Sequence, residues 1–218
     1  MTAGAAHPAR RSRRRAVLPA RFYARDTERV ARELLGAVLE CHTPEGVAAG
    51  RIVETEAYLG EHDAACHAAA GRTGRTEPLY GPPGTAYVYF IYGMHWCVNA
   101  VTRARGLPSA VLIRAVAPID GIALMRARRG ASRRDADLTN GPAKLCQAFG
   151  IDVRHNGLPL QQPPLLIRAG APVPDRDVLV TPRIGIRRAA DWPLRFTVAG
   201  DPFVSRAPAH FPVRRYSR

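Results

Sequence analysis

Lysine is nearly absent from this chain. Of its 32 basic residues one, Lys144, is a lysine and the rest are arginine. Chemistry that forms an imine needs a reactive amine, so here it would rest on Lys144 or the N-terminus. The four cysteines, Cys41, Cys66, Cys97 and Cys146, are widely spaced and contain no CxxC pair. That pattern fits neither a zinc site nor a disulfide framework, and it predicts four buried or half-buried thiols. No apolar run approaches the ~18–20 residues needed to span a bilayer. Ala16–Ala20 is too short and too proline-broken for a signal sequence, so a cytoplasmic protein with no membrane partner is expected. There is no GxSxG, no Walker sequence and no HxE with PCxxC. Their absence excludes the serine-hydrolase elbow, the P-loop and the zinc base deaminases.

Acidic residues are also scarce. Eighteen Asp and Glu stand against the 32 basic residues, giving a formal net charge of +14 over 218 residues. A balance this basic points to a polyanionic partner. The arginine skew among so many Ala, Gly and Pro also fits a compositional bias, so charge alone does not decide the partner. The length suits one well-filled core.

Along the chain, residues 1–19 are Ala, Arg and Pro without apolar period and read as a disordered basic arm. Residues 20–206 read as one folded domain, and 207–218 as a basic C-terminal tail. Asp26 is placed as the N-cap of a helix whose stripe is Val30, Ala31, Leu34 and Leu35, ending at Gly36. Ala37–Cys41 and Val47–Leu59 read as strands joined by a turn at 43–46. Residues 60–84 form a long irregular connection. Thr85–Ile91 and His95–Thr102 form a hairpin around Tyr92-Gly93-Met94. Ser109–Val116 is a further strand, 120–129 a helix, and Asn140 the cap of a helix over 141–149. Pro164–Ala169, Val178–Ile186 and Leu194–Ala199 complete the strands. Many strands with a few short helices predict an α+β domain on antiparallel sheet.

The two-residue period of a strand puts Ile52, Glu54, Glu56 and Tyr58 on one face. Two carboxylates and a phenol are poor core material, so that face is expected to line a solvent-reachable cleft. One of the glutamates then has a basic partner or a raised pKa. A general base that activates water would explain the pair; spacing alone favours the plainer reading of two solvated glutamates beside an arginine. Tyr87 and Tyr89 share another face. Tyr92 falls at a hairpin tip, where it has little of its own domain to pack on, and an exposed aromatic there can wedge between base pairs. His67, a lone histidine in a loop, reads as a surface or satisfied residue. Asn99 and Arg114 are each either a structural hydrogen-bonder or a group that selects a base or positions water. Carboxylates and aromatics within so basic a chain suggest chemistry on a nucleic-acid base.

Taken together, RIVETEAYLG (51–60), the histidine closing DAACH (63–67), PGTAYVYFIYGMHWCVN (83–99), VLIRAVAPIDG (111–121) and LTNGPAKLCQAFGI (138–151) resemble the alkyladenine, or methylpurine, DNA glycosylases. The resemblance runs from Leu18 to Ser205. It implies one α+β domain with a curved antiparallel sheet, short helices and a protruding β-hairpin, without metal or other cofactor. It implies hydrolysis of the N-glycosidic bond of a damaged purine (3-methyladenine, 7-methylguanine, hypoxanthine, ethenoadenine) flipped out of double-stranded DNA, leaving the strand uncut. Residue by residue, Glu56 matches the base that activates water. Tyr58, His67 and Tyr89 match the walls around the flipped base, Tyr92 the intercalating side chain, and Asn99 the residue that disfavours guanine. Arg114 matches an arginine that places the nucleotide and the water. Glu54 is assigned a supporting ion pair. Cys66, His95 and Trp96 depart from the pattern without touching the mapped site. No feature calls for a second copy, so a monomer is expected. The alternatives are a non-catalytic RNA- or DNA-binding module and a two-carboxylate hydrolase of free nucleosides. Glu54 and Glu56, on one strand face, cannot easily flank a bond as the hydrolase requires.

Overall fold

The computed structural model describes residues 15–130 and 134–217. Ten strands form one open antiparallel sheet. In chain order they are β1 (Val38–Thr43), β2 (Gly46–Tyr58), β3 (Ala86–Ile91), β4 (His95–Val101), β5 (Ala110–Asp120), β6 (Gln161–Gln162), β7 (Leu165–Arg168), β8 (Val178–Thr181), β9 (Arg195–Val198) and β10 (Arg214–Arg215). The helices are α1 (Ala20–Tyr23), α2 (Thr27–Leu34), α3 (Ile122–Arg129), α4 (Asp135–Leu138) and α5 (Pro142–Phe149).

The long strand β2 organises the sheet. One edge pairs with β5 over nearly its whole length. The other edge is shared, with β1 along residues 46–51 and β9 along 54–56. Asp26 caps α2 as expected, accepting from the amides of Glu28 and Arg29. This helix and α5 pack on the sheet over Leu34, Ile52, Ala57, Val98, Ile113, Leu145 and Phe149, all buried.

Several expectations change. The alternation along β2 breaks at Val53, where a bulge shifts the register against β5 between Ile52 and Glu54. Ile52 therefore falls in the main core, whereas Glu54, Glu56 and Tyr58 face the other side; a bulge re-aims the side chains beyond it. The strand expected over 178–186 stops at Thr181, because Pro182 has no N–H to offer a ladder. Asn140 is not a helix cap: Gly141 precedes α5, and the Asn140 side chain bonds Asp137 and Lys144. The two-residue strands β6 and β10 carried no sequence signal. Residues near both expected domain boundaries touch the sheet: Val17 bridges Arg168, and Arg214 and Arg215 pair with β8. Most of the expected basic arm lies outside the described residues.

Candidate active site

Sheet register assembles the site. Tyr87 on β3 sits opposite Asn99 on β4, Asn99 opposite Leu112 on β5, and Leu112 opposite Glu56 on β2. Residues paired across antiparallel strands share a face, so these four form one row over four strands. Tyr89 opposite Cys97 adds a second row. A cavity of about 290 Å³ lies over them, lined by Tyr58, His67, Tyr89, Asn99, Arg114 and Ile184 among others. Residues 60–84, with short 3₁₀ turns at His67–Ala70 and Glu77–Tyr80, bring His67 to its wall.

Below the cavity, Glu54 and Glu56 are fully buried. This corrects the solvent-reachable cleft and removes the reading of two solvated glutamates. Glu54 accepts from Arg114 Nε and Arg195 Nε, each at 2.7 Å, and from the amide and hydroxyl of Ser205. Burial works against its ionisation, but the charges of Arg114 and Arg195 and the Ser205 amide outweigh it and hold its pKa below the ordinary glutamate value. Glu56 accepts from the Ile184 amide at 2.7 Å on Oε1, and from Tyr58 Oη at 2.9 Å and Arg114 Nη1 at 3.2 Å on Oε2. Burial works against the charge of Arg114 as well, and the two glutamates more than offset it, so its pKa is raised and the guanidinium stays charged. Two carboxylates and two guanidiniums thus pair in a buried floor, where an unpaired charge would be costly.

The aromatic walls are arranged unequally. His67 and Tyr89 meet edge to face with ring centroids 4.4 Å apart, and His67 Nδ1 lies 2.9 Å from the Tyr87 hydroxyl. A flat base stacked between two rings needs about 7 Å, twice the ~3.5 Å contact distance, so none fits between His67 and Tyr89. These two form one wall, and Tyr58 also lines the cavity. Burial, with the charge of Arg75 adding to it, pushes the His67 pKa down to about 4, which keeps the ring neutral near pH 7. Asn99 is held by its Nδ2 donating to the Tyr87 carbonyl at 3.0 Å, which fixes the amide at the cavity surface.

The hairpin carries the last candidate away from this floor. Tyr92 and Gly93 both have positive φ, 53° and 67°, in a turn closed by the Met94 amide on the Ile91 carbonyl. A tyrosine rarely accepts that backbone conformation. The residue is 77% exposed and still contributes to the cavity lining. Sequence reasoning missed Asp63, Arg183, Ile184, Arg195 and Ser205 in the surround of the glutamates. Two are arginines hidden among many, and Ile184 acts through its backbone, which leaves no sequence signal.

Among the described residues no group of three or more His, Cys, Asp or Glu could hold a metal ion, and all four cysteines are free and buried. No described helix is long and apolar enough to cross a membrane. The methylpurine-DNA glycosylase family model matches residues 21–202. This chain belongs to that family. It is 48% identical over 194 residues to a protein of Myxococcus xanthus, covering 88% of this chain and 94% of the relative. A protein of Rhodopseudomonas palustris strain HaA2 is 53% identical over 188 residues, covering 85% and 88%. One from Methanoculleus marisnigri is 49% identical over 192 residues, covering 87% and 98%. All three are provisionally named 3-methyladenine DNA glycosylases.

Proposed function

We propose that this protein is a monofunctional DNA glycosylase that takes alkylated or deaminated purines out of duplex DNA and hydrolyses their N-glycosidic bond. The observation that carries the reading is Glu56, tied by three hydrogen bonds beneath an aromatic-lined cavity. A carboxylate offers about four acceptor positions, and Glu56 has three filled, leaving one on Oε1 for a water. The carboxylate orients that water and takes its proton as the bond to the sugar breaks, and it stabilises the positive charge that develops on the sugar. Arg114, bonded to Oε2, holds Glu56 in place.

The cavity lies at the lower end of the ~300–1,000 Å³ of ordinary ligand pockets, which suits a single base. Its neutral His67 and electron-rich tyrosines accept a cationic alkylated purine without charge repulsion, and ring faces attract such a cation by about 0.5–2 kcal/mol. Tyr92 fills the gap left by the extruded nucleotide, and Asn99 disfavours guanine. Hydrolysis is favoured over imine chemistry because Lys144 is not among the cavity residues and its Nζ donates to Asn140. An RNA- or DNA-binding module would have no use for a carboxylate buried under its pocket.

The test is base release from duplex DNA carrying one hypoxanthine or one alkylated adenine, followed by alkali. Strand scission only after alkali, lost in Glu56→Gln with DNA binding retained, is the expected result. Tight binding without release from any lesion would return the protein to the binding-module reading.

A further inference from the structure

Asp63 and Arg183 form an ion pair that is fully buried on both sides. The bond is bidentate, with Arg183 Nη1 on Asp63 Oδ2 at 2.5 Å and Nη2 on Oδ1 at 2.8 Å. Arg183 Nη1 also donates to the Ala57 carbonyl at 3.0 Å, while its Nε has no hydrogen-bond partner. A buried ion pair with an orphan donor is a poor source of stability, since apolar residues of the same volume would serve the fold as well or better. Its position suggests another use.

Four parts of the site meet at this pair. The Arg183 guanidinium lies 4.6 Å from the centroid of the Tyr58 ring, with Trp192 at 6.0 Å. The next residue, Ile184, donates its amide to Glu56. Asp63 accepts from the amides of Leu59 and Ala65, so it shapes the turn that leads to His67. The Ala57 carbonyl ties the pair to β2 between Glu56 and Tyr58.

We infer that the Asp63–Arg183 pair is a positioning clamp, which fixes the plane of the Tyr58 wall and the orientation of the Glu56 carboxylate together. It rests on the reading of the cavity as a base-excision site. Neither residue touches the base. Arg183 supports the Tyr58 ring from the cation's side and anchors the segment whose amide aims Glu56. Lysine cannot replace it, because an ammonium lacks both the planar face and the two-pronged fork.

The experiment compares wild type with Arg183→Lys and Asp63→Asn. In free protein, amide exchange at Ile184 is expected to accelerate at least ~10-fold in both variants, while Cys146 and Ala148 in α5 keep wild-type protection. With enzyme in excess over hypoxanthine duplex, the single-turnover release rate is expected to fall by more than ~10-fold while binding stays within about threefold, the split that lost positioning produces. In a Tyr58→Leu background the same Arg183→Lys change should cost much less, because residues acting as a unit are not additive. Wild-type Ile184 exchange in a folded Arg183→Lys protein overturns the clamp, as does an equal rate loss with and without the Tyr58 ring. Should Arg183→Lys not fold, Asp63→Asn carries the test; failure of both to fold makes the pair a stability element and also overturns it. If wild type releases no base, the proposed function falls, and Ile184 exchange still decides the clamp.

Discussion

The floor of the cavity and the tip of the hairpin follow opposite rules. In the floor, Glu54, Glu56, Arg114 and Arg195 are buried and each is paired. At the tip, Tyr92 and Met94 are 77% and 68% exposed, and the tyrosine holds a backbone conformation that suits glycine. In the floor each carboxylate has a guanidinium beside it. The tip leaves most of its aromatic surface to solvent, with Tyr92 reaching only the rim of the cavity. Reaction chemistry needs the first environment, and contact with a large partner needs the second.

The largest effect should come from the floor. Glu56→Gln is expected to lower the release rate by about 10²–10⁴-fold, the usual worth of a general base, with duplex affinity unchanged. Single-turnover kinetics check it. Glu54→Gln sharpens the contrast between the two glutamates. It leaves Arg114 and Arg195 short of one counter-charge, so about 3 kcal/mol of stability should go, as when one partner of a buried pair is removed. Urea unfolding measures this, and an unaltered midpoint would mean that the floor is not held together by its charges.

Tyr92→Ala tests the tip. Stability should change by no more than ~0.5 kcal/mol, as at ordinary surface sites. Affinity for lesion duplex should fall by about 1–3 kcal/mol, the worth of one aromatic–base stack, and affinity for single strands should fall less. Equal losses on both substrates would remove the wedge role.

A further prediction concerns His67. Its pKa is near 4 in the fold against an ordinary 6.5, so the unfolded chain takes up the proton first as pH falls. The contribution of neutral His67 is complete above pH 6.5 and is lost between there and pH 4. Wild type should therefore lose more stability over that window than His67→Gln does, and matching losses would place His67 in contact with water.

Much of this was legible in the chain. Asp26 signalled α2 because a short side chain with a free oxygen is what a helix start needs. Tyr92-Gly93 signalled the hairpin, and the motif around Glu56 carried the family resemblance. The bulge at Val53 was not legible, since it shows only in the register of β2 against β5. Nor was the role of Arg183 or Arg195. An arginine chooses its carboxylate by proximity, and here the partners lie 120 and 141 residues away.

By itself the sequence determined the α+β class, the order of most elements, and the residue types that carry chemistry, because helix caps, turns and strand alternation are local. Only the tertiary structure decided that Tyr87, Asn99, Leu112 and Glu56 share one row, that both glutamates are buried, and that His67 stands beside Tyr89. Burial and charge pairing depend on neighbours that meet through strand register, and register is a property of the whole sheet.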